Sequence, residues 1–216
     1  MNEPAIRTEE QIISLFPDRE TFVCRGWVLK RMGGQLWVYP LYYKFSEGDI
    51  AENVRRCEEI SRQYGAECVF RIVEHTNYHL SAILTDAGYV LLECGVVGEL
   101  YLPDSESCFN RVGKGQDGLS LRKGADDGSV EYIVAEGGMV IGIKRRELLF
   151  LLDGKLLDDV TLENVLQFSK VNGIKNVLAD IPETEKLPEE YERVGFQRSY
   201  LYRCYQMEDI RNGFTE

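Results

Sequence analysis

The chain has 216 residues, 44% of them hydrophobic, with 36 Asp and Glu against 25 Lys and Arg and a net charge of −11. That length suits one large domain or two small ones with a buried core, and the charge repels nucleic acid and anionic membrane while favouring cationic partners such as amines. No apolar stretch follows the N-terminus and no run nears the roughly 18 apolar residues of a membrane span, so a soluble, cytoplasmic protein is expected.

In chain order, a polar helix over 9–15 ends at Phe16-Pro17-Asp18. Apolar runs 22–30 and 36–43, separated by Gly33-Gly34, predict a β-hairpin. Asp49 and Glu52 resemble a capping box, and Ile50, Val54, Cys57, Ile60 and Tyr64 repeat at helical spacing, so a helix over 50–64 follows. Gly65 stops it, and 68–73 supplies a strand rich in β-branched and aromatic residues. A short helix with Leu80, Ile83, Leu84 and Ala87 on one face ends at Gly88, and a long strand runs over 89–100.

The stretch 103–128 is rich in Gly, Ser and Asp and reads as a connection, which places a boundary between halves 1–103 and 104–216. Strands 130–136, 139–144 and 147–152 follow, with turns at Gly137-Gly138 and Arg145-Arg146. Then come a helix over 160–172, a strand over 176–181, a helix over 188–194 and a strand over 198–206.

The two halves repeat one another. Gly65, Val69 and Thr76 recur as Gly173, Val177 and Thr184, each 108 positions on, and Gly88-Tyr89 recurs as Gly195-Phe196. Each copy reads helix, Gly, strand, polar loop, short helix, Gly-aromatic, long strand.

Several chemistries are not supported by residue pattern. The cysteines Cys24, Cys57, Cys68, Cys94, Cys108 and Cys204 form no C-x-x-C pair, and only His75 and His79 could assist them, so no metal site is expected. Gly113-Lys114-Gly115 lacks P-loop spacing, and no serine stands in a Gly-x-Ser-x-Gly setting. Trp27, Trp37, Tyr39, Tyr42 and Tyr43 read as hairpin core, with an acceptor pocket as the alternative.

The segment Glu190-Tyr191-Glu192-Arg193-Val194-Gly195-Phe196, followed by Tyr200-Leu201-Tyr202-Arg203, resembles the Leu-Tyr-Glu-x-Leu-Gly-Phe segment and closing strand of GNAT acetyltransferases. Gly26-Trp27-Val28-Leu29-Lys30, Tyr39-Pro40-Leu41, Phe70-Arg71-Ile72 and Ala87-Gly88-Tyr89 are similar to the first half of two-halved members, where a degenerate copy precedes the catalytic one. The resemblance implies an α/β, GNAT-like fold of two pseudo-repeated halves around a mixed, twisted β-sheet.

It also implies acyl transfer from acetyl-CoA to a small-molecule amine or peptide acceptor. In this family a loop Arg/Gln-x-x-Gly-x-Gly/Ala cradles the coenzyme pyrophosphate on backbone N–H groups at a helix N-terminus. The corresponding stretch is Leu152, Asp153, Gly154, Lys155, Leu156, Leu157 and Asp158. Gly154 and Lys155 fit family usage. Asp153 stands in the Arg/Gln position, Leu156 in that of the first glycine and Asp158 in that of the second small residue, and Asp158 reads first as a helix N-cap. Tyr191 matches the tyrosine that protonates the leaving thiolate, and Glu147 is the nearest carboxylate for a general base. The alternative is an inactive GNAT-fold binding or regulatory protein. A homodimer through hairpin or helix edges is left open by the sequence.

Overall fold

The computed structural model describes residues 3–16, 21–41, 49–74, 78–102, 119–124, 130–135, 138–154 and 157–208. The chain divides into two compact units, one of Met1–Glu9, Pro17–Cys94 and Leu201–Glu216, the other of Glu10–Phe16 and Gly95–Tyr200. These segments divide the chain differently from the halves 1–103 and 104–216, because two long strands contribute residues to both units.

Helix α1, Glu3–Leu15, extends further toward the N-terminus than the expected 9–15. The first unit then contains β1, Thr21–Cys24, β2, Trp27–Met32, β3, Gln35–Tyr39, helix α2, Ile50–Gln63, β4, Glu67–Val73, helix α3, Tyr78–Asp86, and the start of β5, Tyr89–Tyr101. The apolar run 22–30 is two strands rather than one. Arg25 and Gly26 at φ 48° and 85° make a two-residue turn with both central residues left-handed, which folds β1 back onto β2. Gly33 and Gly34, at φ 58° and 86°, make the next turn in the same way, as the sequence leads one to expect.

β3 and β4 are parallel, joined through α2 as a crossover. The end of β11, Gln197–Met207, lies antiparallel to β4, with Tyr202 opposite Val73 and Gln206 opposite Val69. The resulting strand order is β1-β2-β3-β4-β11. Its core is aromatic: Phe70 meets Trp27 edge-on at 6.1 Å and Tyr89 edge-on at 5.2 Å. Leu29, Leu36, Val38, Val54, Leu80 and Leu84 fill the space around these rings. Trp27 is therefore core, and the expected acceptor-pocket alternative fails for it; Tyr42 and Tyr43 lie outside the described residues.

The second unit contains β6, Ser120–Lys123, β7, Glu131–Val134, β8, Val140–Arg145, β9, Leu148–Leu151, helix α4, Asp159–Val171, β10, Asn176–Pro182, and the short helix α5, Glu189–Arg193. The strand order is β5-β10-β9-β8-β7-β6, with β5 contributing 95–101. β6 falls inside the stretch read as a connection; its register with β7, Leu121 opposite Ile133, is supplied by a partner and not by a local apolar pattern. Gly113-Lys114-Gly115 lies outside the described residues.

The order helix–strand–helix–strand occurs twice, as α2-β4-α3-β5 and as α4-β10-α5-β11. β9 and β10 are parallel around α4 as β3 and β4 are around α2. Both helices end alike: Gly65 and Gly173 are left-handed at φ 60° and 66°, and Ala66 N donates to Ser61 O as Ile174 N donates to Ser169 O, both at 3.0 Å. This is the six-to-one bond of a Schellman ending, which requires a residue tolerant of positive φ at that position.

Candidate functional site

The C-terminal end of β9 leads into the loop that the sequence sets against the coenzyme. Leu152 N still donates to Ile141 O at 3.0 Å, so the chain keeps its pairing with β8 for one more residue. Asp153 then turns it, at φ 47° in the left-handed region that Asp tolerates better than most side chains. Gly154 is buried beneath α5. Lys155 and Leu156 lie outside the described residues. Leu157 is again buried, and Asp158 begins α4 as its N-cap, Oδ1 accepting from Thr161 N at 2.8 Å.

Tyr191, fully buried on α5, reaches this loop. Its hydroxyl donates to Gly154 O at 2.7 Å, and its ring meets Phe196 edge-on at 5.1 Å. The same carbonyl accepts from Leu157 N at 3.2 Å, so both of its lone pairs are engaged. The packing leaves no slack. A Cβ on residue 154 would sit 2.6 Å from the Tyr191 hydroxyl, 3.0 Å from Ile181 Cγ1 and 3.1 Å from Asp180 O on β10. Only glycine permits the loop to close onto β10 this way.

The electrostatics favour the protonated phenol. Burial pushes the Tyr191 hydroxyl up first, and the carboxylates of Glu190 and Asp153 push it further in the same direction. Asp158 is shifted the other way, held below the usual carboxylate range by its side-chain and backbone hydrogen bonds with Thr161. Among the described residues of this loop the charged side chains, Asp153 and Asp158, are anions, and two backbone N–H groups, those of Leu157 and Thr161, are spent on internal acceptors.

Glu147 lies elsewhere. It precedes β9, whereas Gly154 follows it, and the five residue steps from Glu147 to Leu152 span about 16 Å of extended chain. Its carboxylate faces Lys175 at 3.4 Å, and its backbone oxygen accepts from Lys175 N and Asn176 N. The structure thus brings Tyr191, Asp153, Gly154, Leu157 and Asp158 together and leaves Glu147 at the far end of the strand. Among the described residues no group of three or more His, Cys, Asp or Glu could hold a metal. His79 is exposed on α3, and His75 lies outside the described residues.

No family model matches the sequence, and no curated protein matches it. Solved structures do match. A GCN5-related N-acetyltransferase from Kribbella flavida superposes with a TM-score of 0.53 at 12% identity, over 95% of this chain and 96% of that one. Another, from Sphaerobacter thermophilus, gives 0.51 at 13% identity over 83% and 76%. The chain has the GNAT fold. The loop 152–158 is where the sequence resemblance sets the coenzyme pyrophosphate, and the described residues there fit an anion poorly. The pattern Arg/Gln-x-x-Gly-x-Gly/Ala is absent, the helix N-terminus already holds a carboxylate, and the small residue that remains, Gly154, packs under Tyr191 rather than lining an opening.

Proposed function

We propose that this chain is a GNAT-fold binding or regulatory protein in which the 152–158 loop does not transfer acyl groups from acetyl-CoA. One observation carries this reading: the contact of Tyr191 with Gly154. It commits the hydroxyl that would protonate a leaving thiolate to a backbone acceptor, and it closes the loop against β10. The anions beside it reinforce the point. A pyrophosphate binds a helix N-terminus through free N–H groups and the positive end of the helix dipole. Here the Asp158 carboxylate takes up one of those N–H groups, that of Thr161, and offsets the same dipole.

The test is ligand-dependent stability. A coenzyme that binds the folded chain raises its melting temperature with concentration as RT ln(1 + [L]/Kd). The expected result with acetyl-CoA is no rise up to millimolar ligand. A rise that grows with concentration, with acetyl transfer to any amine acceptor, would overturn the reading and restore the acyltransferase.

A further inference from the structure

The second unit has a groove at the opposite end of β9 from Tyr191, of about 850 Å³, where the C-terminal turn of α1 faces the β8–β9 turn and the start of β10. In a chain of net charge −11 its lining is unusual. Three cations, Arg145, Arg146 and Lys175, stand there against one carboxylate, that of Glu147.

Each part of the lining has a physical cause. α1 has no basic residue in its last turn, and Arg145 supplies one from outside: its Nη1 donates to Ser14 O at 2.6 Å. Arg146 is the first central residue of a two-residue hairpin turn, with φ 56°, where glycine is usual. A long side chain held in that backbone region costs free energy that glycine would not, and such outliers are retained where the side chain has work to do. Asn176 forms part of the wall. Its Nδ2 donates to Glu99 Oε1 at 3.1 Å, which orients the amide, and its Oδ1 is buried with no hydrogen-bond partner among the described residues. A buried acceptor left unpaired is unfavourable, and a ligand donor would relieve it.

The geometry points to a binding site for a small zwitterion, an ammonium beside a carboxylate or phosphate. The anionic end pairs with Arg146 and Lys175, and the ammonium donates to Glu147 and to Asn176 Oδ1. The inference does not depend on the coenzyme question, because this groove and the 152–158 loop lie at opposite ends of β9.

The experiment is an amide-resolved NMR titration of the full chain with glycine and with phosphoethanolamine, using acetate, inorganic phosphate and ethylamine as single-function controls. The two zwitterions distinguish a carboxylate head from a phosphate head. Saturable shifts confined to 11–15, 145–148 and 175–176 are expected with at least one of them, with each control about tenfold weaker or more. Arg146→Gly relieves the turn while removing the guanidinium, so it is expected to melt no lower than the parent and to bind the zwitterion about tenfold more weakly. No saturable shift with either zwitterion overturns the proposal. So does equal binding of acetate or phosphate alone, which would reveal only a basic patch, and so does unchanged binding by a folded Arg146→Gly.

Discussion

Tyr191 Oη lies 2.7 Å from Gly154 O, and the contact joins α5 to a loop 37 residues earlier in the chain. It predicts opposite kinds of damage from two small changes. Tyr191→Phe keeps the ring against Phe196 and removes one of the two donors to a buried carbonyl, with an expected loss of about 0.5–1.5 kcal/mol. Gly154→Ala adds one methyl where the nearest atoms are 2.6–3.1 Å away, and overpacking of that kind costs about 1–3 kcal/mol. Combined, they should be less damaging than their sum, because Phe removes the oxygen that the new methyl meets. Urea denaturation of the four proteins checks this, and strict additivity would show that the two sites do not share the contact.

Asp158 gives a prediction with a pH sign. Its carboxyl is held below the usual range by Thr161, so the folded state binds its proton less readily than the unfolded chain does. That contribution is present above the unfolded Asp range and is lost as pH falls through the lower folded value. Asp158→Ala should therefore lower the melting temperature at neutral pH, and the gap between variant and parent should shrink on acidification. Thermal melts across the acid range measure the gap, and a pH-independent gap would assign the loss to something other than the charged cap.

Legibility in the sequence followed the range of the interaction. The endings of α2 and α4 were readable because a left-handed residue at Gly65 or Gly173 is a local demand that glycine announces. The Asp158 cap is local too, reaching Thr161 three residues on. The turn at Arg25-Gly26 was hidden, since an arginine in the left-handed region leaves no signature and Gly26 sits inside an apolar run. β6 is a strand through its register with β7, which no local pattern encodes. At the site, Tyr191 stood out by its segment, whereas its partner is a main-chain carbonyl and has no side chain to be recognised by. Nearness in sequence favoured Glu147 over other carboxylates, but a strand runs straight, and closeness along β9 becomes distance from its far end. Lys175 and Asn176 carry no signal of their own in the sequence, because their significance depends on the Arg146-Glu147 turn, one residue later than the Arg145-Arg146 turn expected, which reaches them only through the parallel pairing of β9 and β10.

Cys57 and Cys68 should be unreactive in the folded protein. Burial raises the Cys57 thiol strongly, and the nearby thiols of Cys68 and Cys24 and the Glu58 carboxylate add to it. Burial likewise raises Cys68, to about 12, against a smaller opposing hydrogen bond from Tyr89. The thiolate is the nucleophile, so neither should react with iodoacetamide at pH 8 in the folded protein, while both should react fully in denaturant. Peptide mass spectrometry after timed alkylation reads each site, and rapid native labelling of Cys57 would contradict its buried, neutral state.

In the first unit Arg71 on β4 donates from Nε to Glu9 Oε1 on α1 at 2.9 Å, with the two side chains 7% and 0% exposed. The guanidinium also stacks 3.5 Å from the Tyr202 ring centroid, and Tyr202 Oη donates to Glu93 at 2.9 Å. A buried pair of this kind contributes little against an apolar replacement but becomes costly when half of it is removed. Arg71→Met leaves the Glu9 carboxylate buried beside an apolar chain, with an expected loss of about 3–5 kcal/mol. Glu9→Leu should also destabilise, because it removes the carboxylate that pairs with the buried guanidinium. The double variant should recover most of either loss, so the coupling energy in a double-mutant cycle is large and favourable. Urea denaturation at neutral pH measures all four proteins. A double variant as unstable as the sum of the two singles would mean that the Glu9–Arg71 pair carries no coupling energy.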